Sequence, residues 1–494
     1  MNGLIISWLL LPFLLAFSSA LWPKLGWWMA LLCCGATLAV GLALSFDPQP
    51  ILIQLVGPTG VTLLLDGWIA PFLLLNALVC AAVLLEWGHS HDDPSFCLLV
   101  MVLLGSINSA LVCHDLISLY VALEVVSLCA FLLIADRHKF RSLWIALRYL
   151  LVGSTALLFF LIGCAQVQAS HGSFAFEGVS GATTGAQALL LIGLLTKSGL
   201  FVSGLWLPRT HAEAPAEVSA LLSGVVITAG AAPLVRIGQA TPALGSVLLW
   251  LGLASAGFAV VFALLETDVK RLLAWSTVSQ IGLVVISPVT AGLFALGHGL
   301  AKACLFLLTR RCPSRRLESW SEMPLPRSVA LPMRLASLSI AGCPLLVGYL
   351  AKEQLQQQLA PLPVLLVTLF SVGTAAVYTR LWASPIERLG DQGSAADAGS
   401  PAGTPFQWGV ALLMVALVLG NGLPLVGNDS TLWLISFKGS SLLKSLGVLL
   451  AGWALHSLIQ PWRPRIKLPD LEGFDDLIGG MGIMGTALVV ILSW

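Results

Sequence analysis

Five ionisable side chains fall inside, or at the end of, apolar runs long enough to cross a bilayer: Glu124, Lys197, His298, Lys302 and Lys352. Lys197 is the tenth of twenty residues in the run 188–207, which has no other charge. At about 1.5 Å of rise per residue, its ammonium lies roughly 14 Å from either end, near the middle of a core about 30 Å thick. A charge there costs a few kcal/mol unless it finds a partner, water or a function. Glu124 is the ninth of twenty residues in 116–135, at a matching depth, which suggests an ion pair with Lys197.

His298 and Lys302 are four apart and share a helix face. Lys352 and Glu353 follow "AGCPLLVG", where Gly342, Pro344 and Gly348 would break a helix and line a cavity. Such a line of groups suits a proton relay, because each charge changes the pKa of its neighbour. Plainer readings stand beside it. The Glu–Lys pair could be a structural clasp, His298 a core histidine, and Lys352 with Glu353 an interfacial pair. Asp66 and Asp115 stand where helix caps are expected. Trp27, Trp28, Trp206 and Trp250 stand where interfacial anchors are expected.

The elements that must carry these groups are about sixteen apolar segments: 2–21, 27–45, 66–86, 97–113, 116–135, 148–168, 188–207, 217–237, 244–265, 272–288, 290–308, 330–350, 363–383, 407–426, 441–459 and 478–494. With 57% hydrophobic and 10% charged residues, the chain reads as an all-α polytopic membrane protein. The first run lacks a basic flank and reads as a retained helix. The piece 51–65 reads as an external hairpin, and 387–407 as a flexible Gly/Ser/Ala/Pro-rich loop. A net charge of +1 gives no footing for nucleic acid, and the ten cysteines show no metal or iron–sulfur spacing. With the N-terminus outside, the inner loops collect Lys24, Arg137, Lys139, Arg141, Arg209, Lys270, Arg271, Arg310, Arg311, Arg315, Arg316, Arg327, Arg380, Arg388, Arg463, Arg465 and Lys467, as the positive-inside rule asks.

Four motifs occur in order across roughly residues 60 to 385: "WLPRTHAEAPAEVSALLSGV", "TDVKRLLAWSTVSQIGLV", "HGLAKACLFL" and "AGCPLLVGYLAKE". Together they resemble the proton-translocating, antiporter-like membrane subunits of respiratory complex I and of Mrp-type cation/proton antiporters. The resemblance implies about fourteen core helices, with two inverted five-helix repeats and broken helices. It implies that Glu124 is the glutamate of the fifth helix and Lys197 the lysine of the broken seventh. Lys302 and His298 then lie on a central polar axis and Lys352 at its far end, with His211, Thr228, Glu353, Asp268 and Lys270 in support. Breaking the Glu–Lys pair would push the lysine's proton along that axis. The sequence departs from the pattern at Thr228, where the family has a lysine, at Ala232, at Val202 and Gly204, and at Arg209, where it has an aspartate.

The expected organisation is residues 1–95 as N-terminal helices with the hairpin, 96–240 and 241–385 as the repeats, and 386–494 as the loop and C-terminal helices. The implied function is ion translocation in a multisubunit Na+/H+ antiporter, a D-type subunit being the nearest match. A proton-pumping subunit of an NADH:quinone oxidoreductase and a non-conducting scaffold are the alternatives. The chain is then not catalytic alone and needs no cofactor or metal. Its partners are other membrane subunits, the lipid bilayer, protons and Na+. The expected location is a bacterial plasma membrane, or a thylakoid-type one.

Overall fold

The computed structural model describes residues 2–493 apart from 56–59, 89–93, 137–138, 388–406, 424–433, 435, 464–465 and 467. The glycine-rich inner loop, Arg137, Arg388, Arg465 and Lys467 therefore lie outside the described residues. Among the described residues, twelve helices are long and apolar enough to cross a membrane. They are α1 (Asn2–Leu21), α2 (Gly26–Phe46), α3 (Ala70–Trp87), α4 (Pro94–Val112), α5 (Leu116–Ile134), α6 (Phe140–His171), the continuous pair α9 (Ala216–Leu221) and α10 (Ile227–Gly238), α11 (Pro242–Leu265), α13 (Ala291–Thr309), α16 (Pro361–Trp382), α18 (Gly439–Ile459) and α19 (Phe474–Ser493). The remaining expected segments are built from shorter pieces. These are α7 (Thr184–Lys197) with α8 (Leu207–Glu213), α12 (Val269–Val284), α14 (Arg327–Ala341) with α15 (Val347–Gln357), and α17 (Trp408–Leu419). The all-α polytopic fold expected from the sequence is the fold that forms.

One end of the bundle is basic and tied by ion pairs: Arg310–Glu217 at 2.5 Å, Arg315–Asp268 at 2.7 Å and Arg141–Glu213 at 2.8 Å. The opposite end carries a hairpin, β1 (Ile51–Gln54) antiparallel to β2 (Thr62–Leu65), with Ile51 opposite Leu65. Asp66 and Asp115 cap there as expected, accepting from Ile69 N at 3.2 Å and Ser118 N at 2.7 Å. Two helices are wholly buried, α9–α10 and α13. They cross closely: a Cβ on Gly299 would stand 2.8 Å from the Gly224 carbonyl oxygen. Next to that crossing, residues Leu222–Val226 form a π-helical turn, the kind of bulge that re-aims side chains at functional sites.

The seventh and twelfth segments are broken, five apart, as a paired five-helix arrangement requires. The run 188–207 is therefore not one helix, and Lys197 is the last residue of its first half. Gly199 (φ +65°) makes the turn, and any Cβ on it would meet Leu207 at 2.3 Å. Trp206 donates its indole N–H to the Thr196 carbonyl at 3.0 Å, one of the acceptors freed by the break. It is 4% exposed, so it is a core residue closing the break and not an interfacial anchor. Trp28 and Trp250 do face outward, each at least half exposed.

In the twelfth segment the turn is made by Gly342 (φ +95°) and Leu345 (φ +71°). Helix α6 starts at Phe140 rather than near residue 148, which places Arg148 inside it.

Candidate functional site

Lys197 closes α7, so its ammonium meets the negative end of that half-helix. Its Nζ donates to Ser127 Oγ of α5 and lies 5.5 Å from the centroid of the Tyr149 ring on α6. Two glycines make room. A Cβ on Gly153 would come within 3.1 Å of Nζ, and one on Gly230 within 2.9 Å of the Lys197 Cβ. Glu124 lies three residues before Ser127 and accepts from Ser154 Oγ at 3.2 Å. The pair expected between Glu124 and Lys197 is thus not a direct contact, each charge meeting a different serine, though the two remain within electrostatic reach. A pair held in this way is cheaper to separate than a direct one, because each charge keeps a hydrogen-bond partner.

Lys302 is wholly buried on α13 and donates to the Leu273 carbonyl of α12 at 2.6 Å. That carbonyl also accepts from Thr277 Oγ1 at 2.9 Å, and Thr277 Oγ1 lies 2.7 Å from Ser223 Oγ in the π-turn. A polar chain therefore runs from the second half of the molecule into the eighth segment. The Tyr378 ring lies 5.5 Å from Lys302 Nζ, with the phenol 2.8 Å from Ser276 Oγ. Among the described residues no carboxylate forms an ion pair with Lys302.

His298, one turn before Lys302, is 3% exposed and neither ring nitrogen has a hydrogen-bond partner. His211 on α8 is in the same position: wholly buried, both nitrogens unpartnered, its ring stacked 4.6 Å from Phe306. It lies within electrostatic reach of both Lys270 and Lys302. Four buried nitrogens without partners are costly, and sites of that kind hold water or change protonation.

Lys352 donates to the Ile340 carbonyl at 2.6 Å. Four residues on stands Pro344, which has no N–H to give, so the lysine replaces the missing helical donor. Beside it is a cavity of about 30 Å³, lined by Gly342, Tyr349, Glu353, Gln356 and Lys444 among others, room for about one water molecule. Glu353 turns away, accepting from Ser441 Oγ at 2.8 Å and standing 3.9 Å from Lys444 Nζ. Lys270 donates to the Ala214 carbonyl at 2.7 Å, and Asp268 caps α12 through the Lys270 and Arg271 amides. Thr228 bonds within its own helix, to Val225 O at 2.8 Å.

The sequence reading missed Ser127, Tyr149, Tyr378 and the Ser223–Thr277 pair. It also missed Arg148 and Glu217, both buried. Ser127 stands one turn from Glu124, so helical spacing could have pointed to it. The others depend on helices meeting across hundreds of residues.

The broken helices and the buried lysines sit in a fold of the antiporter-like membrane-subunit class. Residues 113–377 of the 494 match the family described as NADH:quinone oxidoreductase/Mrp antiporter, transmembrane, and the chain belongs to that family. It is 28% identical over 417 residues to an NADH-quinone oxidoreductase subunit N from Desulforudis audaxviator, covering 75% of this chain and 82% of that one. It is 30% identical over 331 residues to a probable K(+)/H(+) antiporter subunit from Rhizobium meliloti, covering 59% of this chain and 32% of that one. Its fold matches a chain in the structure of the Mrp complex from Dietzia sp. with a TM-score of 0.80 at 23% identity, over 98% of this chain and 59% of the other. The present chain thus spans about three-fifths of that structural relative's length.

Proposed function

We propose that this protein is an ion-translocating subunit of a multisubunit cation/proton antiporter. In this reading protons move along Glu124, Lys197, the region of His211, His298 with Lys302, and Lys352, in exchange for Na+ or a similar cation. The repeats occupy 96–240 and 241–385 and the home is a bacterial plasma membrane. The observation that carries the reading is Lys302, a wholly buried lysine held by a carbonyl, with His298 beside it unpartnered. A structural role would be served at lower cost by apolar side chains of similar volume. Thr228 lacks a titratable group, so the step from Lys197 to the central axis passes by hydroxyls and water, for which Ser223 and Thr277 are placed.

The test is to purify the tagged protein with its native companions, reconstitute it in vesicles holding a pH-sensitive dye, and apply cation pulses. Cation-driven proton movement that is lost in Lys197→Ala and Lys302→Ala supports the proposal. Assembled variants that move protons like the wild type overturn it, and the scaffold reading then takes its place. The relationship to subunit N favours a second reading, a redox-driven proton pump. Companions carrying flavin or iron–sulfur centres, with proton movement that follows NADH oxidation rather than cation pulses, would establish that one.

A further inference from the structure

Beyond the matched residues the chain returns across the basic end of the bundle and inserts α19 beside α7; a Cβ on Gly485 would stand 2.8 Å from Ile192. The connection Leu468–Glu472 lies over α6, α8 and α12. Glu472 pairs with Arg271 of α12 at 2.7 Å and with Arg209 of α8 at 3.5 Å, its side chain 3% exposed. Its carbonyl accepts from Arg148 of α6 at 2.5 Å, and Arg209 also pairs with Asp470. Arg271 lines two cavities at this end. One, of about 270 Å³, is walled by the connection itself, and the other, of about 570 Å³, lies beside α8 among Arg141, Arg209, Glu213 and Asp268.

We propose that Glu472 is the centre of an intrachain latch, a positioning residue that ties the first broken helix to the C-terminal segment and separates the two cavities at the basic end. The proposal rests on the transport reading above for its purpose but not for its test. It explains Arg209, which stands where the resembled family has an aspartate: the acidic partners come from this chain's own Asp470 and Glu472. Burial pushes the Glu472 carboxyl above the ordinary glutamate range, and Arg271 and Arg209 only partly oppose this. The charged groups around it are Arg148 on α6, Arg209 on α8, Arg271 and Glu266 at the α11–α12 corner, and Asp470 on its own segment.

The test is amide hydrogen exchange on the full-length protein in detergent, comparing 207–213 with 347–357. Glu472→Gln is expected to speed exchange at 207–213 by about tenfold or more, as loss of a buried charge partner does, with 347–357 unchanged. Glu472→Asp is expected to restore most of the protection. Should Glu472→Gln not fold, Asp470→Asn reads the exposed side of the same latch, with a smaller increase of the same pattern. Equal changes in both segments, or none in either, overturn the latch. Failure of the wild type to move ions would refute the transport reading and leave the exchange result standing.

Discussion

Replacing Lys302 by methionine separates a relay lysine from a structural one by the sign of its effect on stability. The ammonium is wholly buried, held by Leu273 O at 2.6 Å with the Tyr378 ring at 5.5 Å. Desolvating it costs about 2.5–3.5 kcal/mol even on the lenient insertion scales, of which a charged hydrogen bond returns about 1.5–3 kcal/mol. Methionine fills nearly the same volume with no charge. The substitution orphans nothing: Leu273 O keeps the Thr277 hydroxyl at 2.9 Å and the Tyr378 phenol keeps Ser276 at 2.8 Å. Lys302→Met is therefore expected to range from neutral to about 3 kcal/mol more stable. Transport should nonetheless fall to background. Thermal unfolding in detergent measures the first, with a rise of roughly a few degrees at most for a chain of this length, and vesicle proton movement measures the second. A loss of more than about 2 kcal/mol would mean that the lysine holds the helices together, and the relay argument would be refuted.

Gly199→Ala should cost roughly 2–5 kcal/mol, from a left-handed backbone carrying a side chain and a Cβ pressed into Leu207; an unchanged melting curve would show that the break is free to relax. Ser127→Ala leaves the Lys197 ammonium without its hydroxyl and is expected to weaken its site by about 1–3 kcal/mol, lowering transport while companions still co-purify; Ser127→Thr should retain function. At the hairpin end of the bundle, burial pushes the Glu177 carboxyl up, but its own backbone N–H and His114, 2.9 Å away, outweigh this and hold it below the ordinary range. A depressed folded-state pKa stabilises above the unfolded value, about 4.3, and that stability is lost as pH falls through the folded one. The acid side of the stability profile should therefore flatten slightly in Glu177→Gln, and an identical profile would show that the pair contributes nothing.

The helical segments were readable because apolar runs of spanning length leave little choice of secondary structure in a bilayer. Glu124, Lys197, His298, Lys302 and Lys352 stood out for the complementary reason, since each is expensive where it lies. Breaks were legible unevenly. The second carries Gly342 and Pro344, whereas the first depends on Gly199 within "KSGLFVSG", and composition alone reads straight through it. Arg148 was lost for a related reason: "FRSLWIAL" is too polar to extend an apolar run, yet α6 continues through it because α8 and the C-terminal connection supply partners. What hydropathy could not yield at all is that Lys197 meets Ser127 and Glu124 meets Ser154, since both serines are unremarkable until two helices meet.

The buried lysines are tolerated in two different ways, and the difference bears on what could move. Lys197 and Lys352 both serve helix ends: the first closes α7, and the second supplies the donor that Pro344 denies to Ile340 O. For these two, loss of the proton also removes charge or donor from a helix terminus, so protonation and the geometry of the break are coupled. Lys302 meets a carbonyl within α12 that already has a hydroxyl donor, and it lies on a helix wholly enclosed by others. Its proton can leave without orphaning a helix end. Any conformational response to protonation should accordingly arise at the two breaks, where Gly199 and Gly342 provide the hinges, while α13 stays a fixed post between them. The C-terminal latch bears on one of those hinges, through Arg209 on α8, and this gives the chain's departure from its family a physical consequence.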